Sequence, residues 1–261
     1  MKRIWLTAIP IIALLVATAG GSIVIDSALS YVYHQNFDTL ATSGTGNSWA
    51  DNSTIVGWWW DSNNSARDPD SYGYIADAGS NTTGAGHSYG AVDEVERAIG
   101  ALSSSGVDIL FGVQFVNNSG GAISLDNIRI GYVGEQWRQN SAAQALVFSY
   151  AISGTAIADT RDGSATWSAQ TELDFTAPHT GTAGALDGNA AANQEAFSDI
   201  ALASSGTLNP GEYLMLRWKK SGTSSPGLAV DKFQFEVIPE PAMLSLIGLG
   251  LAAARVARRR T

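Results

Sequence analysis

VDILFGVQF, residues 107–115, carries an apolar side chain at every second position. Successive side chains of a β-strand point to opposite faces of the sheet, so this alternation predicts a strand with one face in the core. The turn-forming run NNSGG, residues 117–121, follows directly. A strand that ends in such a turn is typical of an antiparallel sheet, in which short turns join neighbouring strands.

The same period of two recurs before and after this stretch. The predicted strands lie at 31–38, 55–60, 72–75, 97–102, 128–137, 146–152, 167–175, 214–218 and 233–237. Residues 79–90, dense in glycine, serine and threonine, are predicted to form a loop, and 190–203 could hold one short helix. About ten strands separated by turn residues predict an all-β domain, a two-layered antiparallel β-sandwich of jelly-roll type.

The first 19 residues have the three parts of a secretory signal peptide. Lys2-Arg3 is a charged start, residues 4–16 form an apolar helix, and residues 17–19 are a cleavage site of small residues. A first transmembrane anchor is the alternative, although the apolar run is short for a span. We therefore expect an exported chain with an N-terminal signal helix at 1–19 and a β-sandwich domain at 20–238.

The last residues, 239–261, also divide into three parts. Pro239-Glu240-Pro241 comes first, and because proline fixes φ and lacks an N–H group, neither a helix nor a strand should continue through it. The apolar run 242–254 would be roughly 20 Å long as a helix, against about 30 Å of bilayer core, so it spans only if the flanking arginines snorkel. A basic cluster that should stay on the cytoplasmic side follows: Arg255, Arg258, Arg259 and Arg260.

This tail, with its short C-terminal transmembrane helix, resembles the PEP-CTERM sorting signal. In that family the signal directs exported proteins of Gram-negative bacteria to an exosortase. The resemblance implies that Pro239, Glu240 and Pro241 are the sorting motif, and that the partners are the export machinery, an exosortase and, transiently, the inner membrane. It also implies an inner-membrane-anchored intermediate and then a place at the cell surface or in the extracellular space.

Several runs in the middle of the chain resemble a secreted β-sandwich module that recurs in PEP-CTERM proteins. The runs are RAIG at 97–100, FGV at 111–113, GYVGEQWR at 131–138, LDGN at 186–189 and GLAVDKF at 227–233. This resemblance implies a fold and a location and leaves the ligand open. Tails of this kind are also labelled as the C-terminal domain of ice-binding proteins, but the sequence lacks the regular threonine array that would match an ice lattice.

The charge balance argues against a nucleic-acid partner. Without the six basic residues at the two ends and without Glu240, nine basic residues face 23 acidic ones, which gives the domain a net charge of −14. Such a surface repels phosphate backbones and favours solubility outside the cell or the binding of divalent cations. The chain has no cysteine, and a domain of this size can be held by its core without disulfides.

No catalytic constellation stands out in the sequence. The three histidines lack the spacing of a zinc site, and there is no nucleophile elbow and no phosphate-binding loop. Glu172 and Asp174 would share one face of a predicted strand, and paired carboxylates are what glycoside hydrolysis needs. Laminarinase-type hydrolases carry a third acid in this alternation, where the present chain has Thr176. We therefore expect a non-enzymatic domain, with a glycan-active hydrolase as the alternative.

Trp58, Trp59 and Trp60 end one of the predicted strands. Alternation sends Trp59 to one face and its two neighbours to the other, so at least one indole should fill the core while one or two could be exposed. An exposed indole could stack on a sugar ring, which makes these residues a candidate polysaccharide-binding site. Packing in the core or at its edge is the alternative, and it is the commoner role of large aromatic side chains.

The loop after the tryptophans offers oxygen ligands of the kind that calcium takes: Asp61, Asn63, Ser65, Asp68 and Asp70. It lacks the glycine and the terminal glutamate of an EF-hand, so the match is one of composition, and aspartates are common in turns. Residues 159–162 and 187–189 are similar. Apart from calcium, no cofactor is expected. Glu135 and Arg138, which flank Trp137, could form an ion pair over the indole.

The sequence therefore predicts an exported, exosortase-processed surface or extracellular-matrix protein of a Gram-negative bacterium. Its β-sandwich is expected to be non-enzymatic and could bind exopolysaccharide. Two alternatives remain open at this point: a hydrolase that uses Glu172 and Asp174, and a calcium-stabilised adhesin.

Overall fold

Two β-sheets packed against each other form most of the described chain. The computed structural model describes residues 21–223 and 225–239. The strands, in chain order, are β1 (Ile23–Ile25), β2 (Tyr31–Gln35), β3 (Trp58–Ser62), β4 (Ile75–Asp77), β5 (Ala85–Tyr89), β6 (Ala98–Leu102), β7 (Ile109–Asn117), β8 (Ile123–Ser124), β9 (Ile128–Gln139), β10 (Ala145–Ser153), β11 (Ser168–Ala169), β12 (Phe175–Thr176), β13 (Gly184–Ala185), β14 (Gln194–Ala201), β15 (Thr207–Leu208), β16 (Tyr213–Lys220) and β17 (Gly227–Val237). One short helix, α1 (Pro69–Tyr72), and 3-10 turns at Ser65–Arg67, Leu125–Asn127, Thr171–Leu173 and Ala191–Asn193 accompany them.

The first sheet has seven strands and the second has eight. The first runs in the order β1-β7-β16-β10-β11, with β3 paired to β7 and β12 paired to β10. The second runs in the order β13-β9-β17-β6-β5-β4, with β14 paired to β9 and β2 paired to β17. Among these strands β1–β7 and β4–β5 are parallel and the other pairs are antiparallel. The predicted all-β class is therefore confirmed, while the jelly-roll type stays a prediction.

Aromatic side chains of both sheets meet in the core between them. Phe115 of β7 stacks on Phe235 of β17, with ring centroids 4.0 Å apart. Trp218 of β16 contacts Phe233 of β17 and Tyr132 of β9, at centroid distances of 5.6 and 5.4 Å. Because each such pair contributes about 0.5–1.5 kcal/mol beyond the burial of its area, this layer fixes how the two sheets pack.

The stretches with clear alternation are strands in the structure. The inward side chains of β7 that the alternation predicted are fully buried in the core: Ile109, Phe111, Val113 and Phe115. The strands predicted at 97–102, 128–137, 146–152, 214–218 and 233–237 correspond to β6, β9, β10, β16 and β17. Periodicity was sufficient here because these strands place large apolar residues on one face.

The loop predicted at 79–90 is wrong where it contains the buried strand β5. The sequence of β5, AGHSY, has little β-propensity, but small residues are required at this place. A Cβ atom on Gly86 would lie 2.5 Å from the indole of Trp60. Close packing against the core therefore selected the glycine and hid the strand from the sequence pattern.

The helix considered at 190–203 is also wrong. After a 3-10 turn the chain forms β14, which pairs with β9 at the edge of the second sheet. Phe197 of β14 stacks on Tyr132 with ring centroids 4.4 Å apart. The backbone pairing and this aromatic contact outweigh the helical preference of the local alanines.

Two shorter predicted strands differ from the structure for local reasons. The strand predicted at 72–75 begins only at Ile75, because Asp68 caps and Pro69 begins the helix α1 just before it. The strand predicted at 167–175 is divided into β11, a 3-10 turn and β12.

Each sheet carries a small buried cluster on its outer face, on the side opposite the core. The first outer cluster consists of Trp59, Ala151, Ile157 and Met215, with Ala165 and Trp167 packed against it. The second outer cluster consists of Tyr89, Ala98, Trp137 and Ala229. Loop residues cover both clusters: residues 154–167 contribute to the first, and Gly188 approaches the indole of Trp137 in the second.

No helix within residues 21–223 and 225–239 combines the length and the hydropathy that a membrane crossing needs. The predicted signal helix at 1–19 and the predicted transmembrane helix at 242–254 lie outside the described residues, as do Glu240, Pro241 and the arginine cluster. β17 ends at Val237, before Pro239, as expected from the fixed φ of the prolines.

Candidate functional site

The three tryptophans that the sequence suggested as a sugar-binding surface, Trp58, Trp59 and Trp60, are buried. Trp58 and Trp60 are 0% exposed and lie in the core between the sheets. Trp59 is 6% exposed and belongs to the first outer cluster. The predicted alternation of the three side chains between the two faces of β3 is thus confirmed, and all three pack in buried clusters, which was the alternative to sugar binding. The interpretation as an exposed stacking surface is wrong, because both faces of β3 are covered and no indole face is free for a sugar ring.

The acidic loop predicted to bind calcium uses its oxygens for other contacts. Asp61 Oδ2 accepts hydrogen bonds from the backbone N–H and the hydroxyl of Thr160. Asn63 Oδ1 accepts from the N–H of Asp108 at 2.8 Å. These contacts join the loop to neighbouring segments, and they direct the two side chains away from a common centre.

The last two residues of that loop stabilise the short helix α1 and its surroundings. Asp68 Oδ1 accepts from the N–H of Asp70 at 3.1 Å, which is an N-cap contact. Asp70 Oδ1 accepts from the N–H of Asp51 at 3.2 Å. Among the described residues Asp61, Asp68 and Asp70 do not form a group of three converging acidic ligands. Calcium binding at this loop therefore remains a prediction without a gathered ligand set.

Glu172 and Asp174 do not lie side by side on a strand. Glu172 is exposed in the 3-10 turn Thr171–Leu173, and Asp174 follows the turn. Asp174 Oδ1 accepts a hydrogen bond of 2.7 Å from the N–H of Phe148. The prediction that the two carboxylates share a strand face is wrong, because the chain needs this turn to place Leu173 and Phe175 in the core.

Glu135 and Arg138 do not pair over the indole of Trp137. Glu135 Oε2 accepts from Trp137 Nε1 at 2.8 Å, whereas Arg138 Nη1 donates to the carbonyl of Gly79 at 3.0 Å. The predicted ion pair is wrong because residues three apart on a strand point to opposite faces. The indole N–H instead becomes a donor to a buried carboxylate.

Three carboxylates that are far apart in the sequence converge on the outer face of the second sheet. Glu135 lies on β9, Asp231 on the adjacent β17, and Glu96 on the loop before β6. One carboxylate oxygen of each lies within 4.8 Å of those of the other two. Glu135 and Asp231 are 0% and 1% exposed, and Glu96 is half-buried. We call these residues the acidic cluster.

The hydrogen bonds around the acidic cluster are incomplete. Glu135 accepts from Trp137 and, at 3.1 Å, from Gln194 Nε2, and Glu96 Oε2 accepts from Asn189 Nδ2 at 2.7 Å. The ammonium of Lys232 lies 3.4 Å from Asp231 Oδ2. Two buried oxygens, Glu96 Oε1 and Asp231 Oδ1, have no hydrogen-bond partner among the described residues.

Burial disfavours the charged form of both inner carboxylates. Burial raises the pKa of Glu135 to about 8, although the Trp137 hydrogen bond acts in the opposite direction and the charge of Asp231 adds to the rise. Burial likewise raises the pKa of Asp231 to about 7, while contacts with Lys232 lower it and the charge of Glu96 raises it. Burial and the neighbouring carboxylates thus both oppose full ionisation of the acidic cluster.

A groove of about 300 Å³ crosses the same outer face next to the acidic cluster. Its walls come from β9, β14 and β17, and its polar side chains include those of Arg129, Asp199, Lys232, Gln234 and Glu236. A second hollow that shares Lys232 and Gln234 extends it towards His34 and Asn36 near β2. The groove thus presents guanidinium, carboxylate, amide and ammonium groups to the solvent within a short distance.

Two β-bulges shape this groove. The register between β9 and β17 shifts between Asp231 and Gln234, and the register between β9 and β14 shifts between Phe197 and Ile200. Lys232 and Asp199, inside the two bulges, have φ values of 49° and 56°. Left-handed backbone at non-glycine residues is uncommon and concentrates at functional positions, where it redirects side chains.

Sequence reasoning did not find the acidic cluster or the groove. Their residues are brought together by strand pairing and by bulges, so no short sequence motif indicates that they lie close together. The available signal was weak: Glu135 and Asp231 are the single acids of the quoted runs GYVGEQWR and GLAVDKF. A buried acid in such a strand needs a partner, and this need can be read from the sequence only once burial is known.

Solved structures with weak similarity include an adhesin domain and two carbohydrate-binding modules. The K3 cleaved adhesin domain of Lys-gingipain from Porphyromonas gingivalis is 13% identical with a TM-score of 0.38, over 79% of this chain and 98% of that one. The family 11 carbohydrate-binding module from Clostridium thermocellum, in complex with a β-1,3-1,4-mixed-linked tetrasaccharide, is 10% identical with a TM-score of 0.32, over 76% and 99%. TmCBM61, in complex with β-1,4-galactotriose, is 11% identical with a TM-score of 0.28, over 55% and 72%. Likenesses this weak assign no ligand to the present chain.

No curated protein matches the sequence. The end of the chain, in contrast, has a clear match, and it includes the proline-glutamate-proline motif, the apolar run and the terminal arginines. The family model of the PEP-CTERM protein-sorting motif covers residues 237–260, so this chain carries a PEP-CTERM sorting signal immediately after its last strand.

Proposed function

We propose that this chain is an exported surface or extracellular-matrix protein of a Gram-negative bacterium, processed by an exosortase at its tail, with a non-enzymatic β-sandwich that binds polysaccharide. The observation that carries the proposal is the sorting motif at 237–260, directly after β17. Such a motif indicates export and processing at a C-terminal membrane anchor. The β-sandwich is then the part of the chain that functions outside the inner membrane.

The tail is tested by two variants of the full chain. Removal of residues 239–261 should abolish the membrane-associated intermediate seen on cell fractionation. A second variant with Pro239, Glu240 and Pro241 all changed to alanine keeps the apolar run and the arginines, so it should reach the membrane and accumulate there unprocessed. Mass spectrometry of the C-terminal peptide should show the apolar run missing from the mature wild type. A mature wild type that retains residues 242–261 would contradict the proposal.

Polysaccharide binding is proposed at the groove on the outer face of the second sheet. Its support is the density of hydrogen-bonding groups: Arg129 pairs with Asp199, Gln234 donates to Glu236, and the remaining donors and acceptors of these side chains can bond to sugar hydroxyls. Gly131 forms part of the lining, and a Cβ there would lie 3.1 Å from the carbonyl of Phe197, a tight contact at the floor of the groove. Two acidic and two basic residues line it, which favours a neutral or weakly charged polymer.

A glycan array and pull-downs with extracted matrix polysaccharide test this site. Arg129→Ala and Gln234→Ala should each lower the apparent affinity about tenfold, as expected for the loss of one well-placed hydrogen bond. Arg67→Ala makes the same change of charge and size on an exposed turn away from the groove, and it should leave binding unchanged. Equal loss in Arg67→Ala, or unchanged binding in both groove variants, would place the ligand elsewhere.

The absence of hydrolase activity is part of the proposal. It is supported by the exposed position of Glu172 in a 3-10 turn and by the hydrogen bond that Asp174 accepts from the N–H of Phe148. Paired carboxylates of glycosidases face the scissile bond from positions about 5–10 Å apart in a shared cleft. Reducing-end assays on matrix polysaccharide should show no turnover. Turnover that Glu172→Gln abolishes would establish the hydrolase instead.

A further inference from the structure

Two buried carboxylate oxygens without partners define an unusual place on the second sheet. Asp231 is 1% exposed, and its Oδ1 has no hydrogen-bond partner among the described residues; Glu96 Oε1 is in the same situation. Both belong to the acidic cluster, whose third member, Glu135, is 0% exposed. A buried carboxylate oxygen without a donor is costly, so each such atom in a folded protein requires an explanation.

We propose that Glu96, Glu135 and Asp231 together bind one calcium ion, which fastens the loop before β6 to strands β9 and β17. This site is separate from the acidic loop at 61–70 that the sequence suggested, and it uses none of its residues. None of the three carboxylates lines the groove proposed for polysaccharide, so the two sites can be altered by separate substitutions.

The spacing of the three carboxylates fits a single ion. Calcium binds oxygen ligands at about 2.3–2.6 Å, so two oxygens on opposite sides of one ion are at most about 5 Å apart. In the acidic cluster the three oxygens all lie within 4.8 Å of one another. No side chain needs to move far to close around an ion at the centre.

The donor set selects a hard cation. All three ligands are carboxylates, and the cluster contains neither histidine nor cysteine. Carboxylate oxygens suit calcium and magnesium, whereas nitrogen and sulfur ligands select zinc and copper. Three carboxylates from different segments in irregular geometry suit calcium better than magnesium, which demands near-octahedral order and retains its water.

The surroundings of the cluster resemble an outer shell around a metal. Glu135 accepts from Trp137 Nε1 at 2.8 Å and from Gln194 Nε2 at 3.1 Å, contacts that orient the carboxylate and leave lone pairs for an ion. A β-bulge after Asp231 and the left-handed Lys232 turn the aspartate towards its partners. The Lys232 side chain is 61% exposed, so its ammonium can leave Asp231 when an ion enters.

The charge of the domain also favours a cation at this place. A divalent ion among the three carboxylates would stabilise their ionised forms, and the domain's net charge of −14 would raise the local concentration of the ion.

Terbium luminescence tests the position of the ion. Terbium replaces calcium at oxygen sites and emits when a nearby indole transfers energy to it, and the Trp137 indole is bonded to a proposed ligand. With the purified exported protein, emission should rise on addition of terbium, fall on addition of excess calcium, and be lost in Asp231→Asn and Glu135→Gln. Asp70→Asn, in the loop that the sequence suggested, is the matched control and should emit like the wild type.

Thermal unfolding of the same proteins tests the energetic role. At free calcium about 100 times Kd the wild-type Tm should rise by about 5–10 °C. Asp231→Asn should melt above the wild type in excess chelator, because a neutral amide avoids the cost of burying a third acid, and below it in calcium, because a ligand is lost. This crossing does not require the variant to be destabilised, so it remains readable in a well-folded protein.

The alternatives give distinct results. A wild-type Tm that does not respond to calcium or chelator would overturn the proposal. Terbium emission lost in Asp70→Asn and retained in Asp231→Asn would overturn it as well, and would move the ion to the loop at 61–70. Loss of glycan binding in the groove variants with an intact calcium response would leave this site standing, so the two proposals can fail separately.

Discussion

The outer faces of the two sheets bury similar aromatic clusters but treat their polar groups differently. On the first sheet, Gln114 Oε1 accepts from the N–H of Ile157 at 2.7 Å while its Nε2 donates to the carbonyl of Ile157 at 3.2 Å. Arg217 donates to Ser149 Oγ at 2.9 Å and to the carbonyl of Thr160 at 2.6 Å. These side-chain donors and acceptors on the outer face of the first sheet all have hydrogen-bond partners within the protein.

The second sheet leaves comparable groups unpaired. Its outer face holds the acidic cluster, and it also holds Tyr89, whose hydroxyl has no partner among the described residues. Since buried polar groups are normally paired, the first face has the features of a purely structural cluster and the second those of a binding site. The comparison indicates that a binding site is recognised by incomplete hydrogen bonds of its buried polar groups, and not by the number of buried charges.

The largest expected effect comes from removing the central indole of each face. Trp59→Ala and Trp137→Ala should each lower the free energy of unfolding by about 3–5 kcal/mol, since each leaves a cavity in a buried cluster. Chemical denaturation with and without calcium separates them. Calcium should stabilise Trp59→Ala as much as the wild type and Trp137→Ala less, because Glu135 loses a donor.

Trp137→Phe keeps most of the packing and removes only the N–H group, so it remains informative if the alanine variant does not fold. It should show the same reduced response to calcium. An equal response in the variants of both faces would contradict the distinction drawn between them.

The next effect comes from two glutamines, one on each face. Gln114→Leu should cost about 1–3 kcal/mol for each of the two backbone groups of Ile157 that it leaves unpaired, with or without calcium. Gln194→Leu removes one donor to Glu135, and its cost should be larger in calcium, because a donor that orients a proposed ligand is lost and calcium binding is weakened. Urea unfolding in calcium and in chelator measures both. A calcium-dependent cost for Gln114→Leu would break the comparison.

A smaller effect distinguishes the two covering loops. A Cβ on Gly188 would lie 2.2 Å from a carbon of the Trp137 indole, so Gly188→Ala should destabilise the protein by about 1–3 kcal/mol. Gly163 lies in the loop over the first outer cluster and has nothing within 4 Å of such a Cβ, so Gly163→Ala should be close to neutral. Thermal unfolding of the pair checks this, and similar Tm values would show that the loop over Trp137 yields without cost.

The smallest effect concerns the edge of the first outer cluster. The Arg217 guanidinium carbon lies 3.4 Å from the centre of the Trp167 ring. Trp167→Leu removes this cation–π contact and should cost about 0.5–1 kcal/mol beyond the change in apolar area. The cost should not depend on calcium in a denaturation series. Trp167→Phe, which retains an aromatic face, should lie between Trp167→Leu and the wild type.

The sequence was most informative where one physical cause acted alone. Alternating large apolar residues located β7, β9, β10, β16 and β17, because burial of one face dominates those strands. The order of motif, apolar run and arginines located the sorting signal for a similar reason, since all of it lies within one short stretch. Local patterns of this kind can be recognised without knowing which distant segments of the chain come into contact.

The rest depended on contacts between distant segments. β5 could not be found because its glycine, Gly86, is selected by the close approach of Trp60. The acidic cluster could not be found because Glu96, Glu135 and Asp231 meet only through strand pairing and a bulge. The tryptophans of β3 show the opposite failure: a conspicuous motif suggested a surface, while the core between the sheets buries Trp58 and Trp60 and the first outer cluster buries Trp59.

Calcium binding by the acidic cluster is tested most directly by an anomalous diffraction map from crystals of the exported protein grown with calcium. We expect one peak among the carboxylates of Glu96, Glu135 and Asp231, about 2.3–2.6 Å from an oxygen of each, with the ammonium of Lys232 turned away from Asp231. A map at full calcium saturation with no peak there, and with Lys232 still seated on Asp231, would contradict it.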